Sequence, residues 1–184
     1  MRAMRVRHVF LLLSALAVLL RAAPLLAASA AELNREGSQA LKSLYANNSA
    51  ARLLGKKAVA VLVFPKIIKA GFMFGGQMGE GVLMKGGRPA GYYNSVAASY
   101  GLQAGLQWFG YALFFMNNGA LAYLDNSDGW EVGVGPSIVV VDQGMGKSMT
   151  STTLTQDVYA FIFDQKGLMG GLGVQGSKIT KIDK

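Results

Sequence analysis

Apolar and polar positions change period along this chain. From Ala31 to Tyr45, Leu33, Ala40, Leu41, Leu44 and Tyr45 recur at helical spacing opposite Arg35, Gln39 and Lys42, which predicts an amphipathic helix. Asn47 and Asn48 end it, and Ser49 is placed as the N-cap of a short second helix through Leu54, closed by Gly55. From Ala58 onward the pattern is that of strands. Val59 to Phe64 is apolar at nearly every position and stops at Pro65, which cannot donate to a ladder. Ala70 to Gly79 and Gly81 to Lys85 read as two further strands, and Gly86-Gly87 reads as a hairpin turn.

The clearest alternation follows. Val96, Ala98, Tyr100, Leu102, Ala104, Leu106 and Trp108 share one face, and Ala97, Ser99, Gly101, Gln103, Gly105 and Gln107 share the other. Gly110 to Met116 is another apolar strand, Gly119 to Leu124 a short helix, and Asp125 to Gly129 a polar turn. Strands are expected at Trp130–Val134, Ser137–Val141, Val158–Phe163, Leu168–Val174 and Lys178–Ile182, with Asp142 to Thr155 as a protruding loop. Nine or ten strands with few helices predict an α+β fold. Its core would be a barrel or a sandwich, mainly antiparallel, with about three helices packed on the surface and one or two flexible protruding loops.

The first thirty residues are set apart. Arg2, Arg5 and Arg7 precede a twelve-residue apolar run, Val9 to Leu20, and Ala28-Ser29-Ala30 supplies a small-residue cleavage site. That layout predicts a secretory signal peptide over 1–30 and a single domain over 31–184. An uncleaved anchor is the alternative, although the run falls short of the roughly 20 residues a spanning helix needs. Cleavage would leave fourteen Lys plus Arg against ten Asp plus Glu, a net of +4 in place of +8. So mild a surplus argues against nucleic acid as a partner. The expected location is the periplasm or another part of the cell envelope.

Chemistry is bounded by what is missing. The one histidine is His8 and there is no cysteine, so imidazole and thiolate catalysis and zinc sites built on them are excluded from residues 31–184. The ten carboxylates are scattered with no acid/base spacing, and the reading is of a non-enzymatic protein without metal or cofactor. Gly144 to Ser148 (GMGKS) invites a phosphate-loop reading, but Val141 stands where that motif needs glycine.

Charge is segregated instead. Between Gly37 and Gly79 there is no Asp or Glu, while Lys42, Arg52, Lys56, Lys57, Lys66 and Lys69 all lie there. An anionic partner fits that arrangement. Lys56, Lys57, Lys66 and Lys69 are therefore the first candidates for phosphate contact, with Lys85 and Arg88 at the hairpin and Lys147 on the loop as additions. Ordinary solubility charge is the competing explanation. Phe72, Phe74, Trp108, Phe109 and Phe114 can be read as a membrane-insertion set, but strand alternation favours core packing for them.

The block KKAVAVLVFPKIIKAGFMFGGQMGEGVLM, Lys56 to Met84, resembles the opening motif of the SYLF domain, a lipid-binding family. Ser99 to Gln107 (SYGLQAGLQ) is similar to that family's Gly/Gln strand, and Phe114 to Asn117 (FFMN) to the end of its apolar strand. The resemblance spans roughly residues 32 to 182. It implies a β-barrel with surface helices, binding of phospholipid headgroups such as phosphoinositides, and a membrane-contacting role for the helix Ala31–Tyr45. Two other functions remain open. One is an envelope adhesion or scaffold module with a protein partner. The other is an integral outer-membrane barrel, disfavoured because Val59 to Phe64 lacks polar-in alternation.

Overall fold

A computed structural model describes residues 28–126, 129–131, 134–141 and 155–184. The predicted signal sequence up to residue 27, most of the loop Asp142–Thr155 with Lys147, and the GMGKS segment lie outside the described residues.

Two consecutive helices open the described fold, α1 (Ala30–Asn47) and α2 (Ser49–Gly55). Ser29 caps α1, its hydroxyl accepting from the Glu32 amide at 3.2 Å. Just before it, the Ala28 amide donates to Glu80 (3.0 Å), whose carboxylate also receives the Lys184 ammonium at 2.9 Å. The cap of α2 is Asn48 rather than Ser49, because the Asn48 carboxamide reaches the Ala51 amide at 3.0 Å. Gly55 belongs to α2 itself. A Cβ there would lie 2.6 Å from the Tyr45 hydroxyl, so closeness of the two helices accounts for this glycine.

The sheet follows as β1 (Ala60–Lys85), β2 (Arg88–Phe115), β3 (Trp130–Glu131), β4 (Ile138–Val140) and β5 (Val158–Ile182), with α3 (Asn118–Asn126) between β2 and β3. The order is β1-β2-β5-β3, antiparallel throughout except that β4 runs parallel to β5. The α+β class and the three helices match expectation, but nine or ten short strands do not. The predicted breaks are irregularities inside strands of 25–28 residues. Pro65 sits in a register shift between Phe64 and Ile67, and other shifts fall at Phe72/Phe74 and Trp108/Gly110. A bulge is one of the few places where a sheet tolerates proline. Gly86 and Gly87 both have positive φ (58° and 77°) and close the expected two-residue hairpin.

These strands are bent double. Met73 takes a φ of 61°, and a Cβ on Gly71 would meet the Gly75 Cα at 2.6 Å. Farther down, one on Gly79 would meet the Lys66 carbonyl at 2.6 Å and one on Gly81 the Phe64 ring at 2.5 Å. Residues 60–70 of β1 therefore lie against residues 76–85. β2 and β5 follow the same path, because their registers pair them with both limbs. The result is a half-barrel; a closed ring is not formed among the described residues.

The closed end of this arrangement holds two cores, one on each sheet face. Ala60, Leu62, Phe64 and Ile67 point inward with Leu83, Leu113, Phe115 and Trp130, plugged by Leu121 and Leu124 of α3. Val61, Val63, Val82, Met84 and Phe114 point outward and are covered by Leu33, Leu41 and Leu44 of α1 and Leu54 of α2. Apolarity at every position of Val59–Phe64 follows from burial on both faces. Polar contacts secure the same end. Tyr93 donates to Asp125 at 2.6 Å, and burial, followed by that bond, pushes its hydroxyl pKa well up. The exposed Asp157 carboxyl accepts from the Ser137 amide and hydroxyl and from Asn117, which holds it below its usual range.

Candidate functional site

The basic residues singled out in the sequence do not form one patch. Lys56 and Lys57 follow α2, and Lys85 and Arg88 pair across the hairpin. These two stretches border a single cleft of about 300 Å³, lined by Tyr45, Val59, Met84, Gly86 and Gly87. Lys66 and Lys69 stand elsewhere. At about 3.3 Å per residue, Lys69 is roughly 30 Å along the strand from Ala60. Lys66 is exposed at the bulge, and Lys69 turns inward to line a cavity between the limbs. An extended strand carries neighbours in sequence apart in space, so the expected single field is divided into two.

The bend carries the larger departure. The face of β2 that holds Val96, Tyr100, Leu106 and Trp108 is the outer face, and the small and polar residues Ser95, Ala97, Ser99 and Gln107 face inward. Neither helix covers the outer face here. Phe72 is 75% exposed, Phe74 70%, Tyr100 61% and Leu168 88%. The Phe74 and Tyr100 rings pack at 4.9 Å on the outside. Of the five aromatic residues expected in the core, Phe109 and Phe114 are there, Trp108 is half-buried, and Phe72 and Phe74 are not. Their surroundings explain it: α1 and α2 end over the other part of the sheet, leaving the bend without a second layer.

Charge is ordered around this apolar crest. Strand register aligns Ile68–Trp108–Lys166 in one row across the first limb and Met78–Val96–Lys178 in another across the second. Each row runs apolar, apolar, lysine, the second continuing across β3 to the exposed Glu131, and Lys66 stands beside the first. Lys66, Lys166 and Lys178 are exposed and join none of the ion pairs among the described residues. The only carboxylates in the three long strands are Glu80, held by Lys184, and Asp164. The crest is thus an apolar surface rimmed by ammonium groups. Lys166 and Lys178 were missed in the sequence because only the pairing of β5 with β2 puts them beside residues 68–78.

Set against known protein families and against curated proteins, the chain matches none of either.

Proposed function

We propose that this chain is a secreted, non-enzymatic module of the cell envelope that rests its crest on an anionic phospholipid surface. One observation supports the reading above the rest: Phe72, Phe74, Tyr100 and Leu168 point into solvent at the bend, edged by Lys66, Lys166 and Lys178. Large exposed apolar patches mark sites of contact, and a cationic rim selects a negatively charged one. The resemblance to the SYLF lipid-binding family points the same way and extends the half-barrel to a small closed barrel. The cleft beside Lys56, Lys57, Lys85 and Arg88 is a separate basic surface, a second place for headgroups or soluble anions.

Magnitudes rank the contributions. A Phe or Leu side chain moved fully out of water contributes about 1.5–3 kcal/mol. Each lysine near an anionic surface adds about 1 kcal/mol. The aromatic residues therefore dominate affinity, and the lysines set lipid preference and salt sensitivity. Vesicle co-sedimentation tests this directly. Binding to phosphatidylglycerol vesicles should exceed binding to phosphatidylcholine vesicles, and the double substitution Phe72→Ser with Phe74→Ser should weaken it on the order of 100-fold. Lys166→Gln should cost about fivefold, and less at high salt. Undiminished sedimentation of the double variant would overturn the proposal. Absence of any vesicle binding would point to a protein on the same crest.

A further inference from the structure

Beneath the crest, between the two limbs, lies a cavity of about 410 Å³. Its polar lining comes from all three long strands: Lys69 and Gln77 from β1, Ser95 and Gln107 from β2, Gln165 and Ser177 from β5. Phe109 and Tyr111 form its apolar floor, and Val140 and Ile162 stand at the edge. The volume falls in the range of about 300–1,000 Å³ typical of small-molecule sites.

Two features separate this space from a packing defect. The first is its chemistry. Among the described residues three carboxamides, three hydroxyls and one ammonium line it, and no carboxylate does. Carboxamides and hydroxyls each both donate and accept, which complements a ligand presenting alternating donors and acceptors on adjacent atoms. A polyhydroxylated ring does so, and its C–H face suits the negative faces of aromatic rings. The second feature is an orphan. Ser95 is only 2% exposed, and its hydroxyl has no partner among the described residues. Buried polar groups are nearly always satisfied, so a hydroxyl left open toward a polar cavity marks a place for a ligand's hydrogen bond.

Tyr111 adds a fixed donor. Like any tyrosine it is protonated at physiological pH, and burial pushes its pKa up further, to about 12.

We propose that the cavity binds one hydroxyl-rich ring carrying a single anionic group, with the anion toward Lys69 and the ring hydroxyls toward the glutamines, Ser95 and Ser177. The site is independent of the crest, and its ligand can arrive as a soluble sugar phosphate or as the exposed head of a glycolipid. Isothermal titration of the folded protein with glucose 6-phosphate, glucose and inorganic phosphate, in the absence of vesicles, tests it. Glucose 6-phosphate should bind more tightly than either fragment. Gln107→Leu should weaken it roughly tenfold, as loss of a buried hydrogen-bond partner implies, and Ser95→Ala should do so at unchanged stability. Inclusion of glycolipid-bearing vesicles then separates the two sources: competition by the soluble sugar phosphate assigns the lipid head to this cavity, and none restricts the cavity to soluble ligands. Phosphate alone matching the sugar phosphate, no binding of any of the three, or affinity indifferent to Gln107→Leu and Ser95→Ala would each overturn the assignment. Because Gln107 and Ser95 face away from the crest, sedimentation of those variants with phosphatidylglycerol vesicles should be normal, whatever the titration shows.

Discussion

The same three strands build two unlike regions. Around residues 60–64 and 111–115 each strand is sandwiched, with α3 and the opposing limb on one side and α1 and α2 on the other. At Lys69, Gln77, Ser95 and Gln107 the inner side meets the polar cavity, and at Phe72, Phe74, Tyr100 and Leu106 the outer side meets solvent. Side chains of equal hydrophobicity thus do opposite things. Phe114 is fully buried and packs edge-on against Phe161 at 5.1 Å, while Phe72, on the same outer face, is three-quarters exposed. What differs is the presence of a second layer. Apolar residues under a helix hold the fold together, and apolar residues beyond its reach are free to contact something else.

Substitution should separate the regions most sharply at those two phenylalanines. Phe114→Ala should cost about 3–5 kcal/mol of stability. Phe72→Ala should stay within about 0.5 kcal/mol, as surface changes usually do. Urea denaturation of both variants checks the pair, and equal losses would erase the distinction between a structural and a contacting region.

The bend itself is the next place to press. Gly71→Ala puts a methyl group against the Gly75 backbone, which has no rotamer with which to retreat. A loss of about 1–3 kcal/mol, the usual range for overpacking, is expected in the urea midpoint. Amide exchange should rise at 70–76 and leave the helix-covered end protected.

A smaller effect belongs to alkaline pH. Tyr93 and Tyr111 both hold their protons above the ordinary tyrosine value of 10.0, Tyr111 to about 12. A raised folded-state pKa contributes stability that is fully present below pH 10 and lost as pH climbs through the folded value. Stability should therefore fall between pH 10 and about 12, and Tyr111→Phe should flatten the part of that fall that Tyr111 causes. Urea midpoints measured across this interval decide it.

Much of the helix-covered end was legible in the sequence. The helical spacing of Leu33, Leu41 and Leu44 gave the face that packs on the sheet. Near-continuous apolarity from Val59 to Phe64 announced a strand, and Gly86-Gly87 announced the hairpin. The crest was harder to read for a physical reason. A period of two sorts residues into two faces without saying which is inside, and here the face with the larger residues is outside. Strand ends were misplaced because Pro65 and the glycines punctuate a sequence identically whether they terminate a strand or bulge it. The grouping of basic residues failed for want of distance: Lys57 and Lys69 are twelve apart in sequence, and the extended backbone between them sends them to different ends of the sheet.

One small junction ties together the two ends of the described fold. Glu80 holds the Ala28 amide and the Lys184 ammonium at once, and that ammonium also donates to the Ala28 carbonyl at 2.7 Å. A peptidase cut after Ala30 would remove both Ala28 and the Ser29 cap, leaving Lys184 its Glu80 ion pair but taking away the carbonyl it also donates to. Trimming Lys184 would loosen the start of α1 in return.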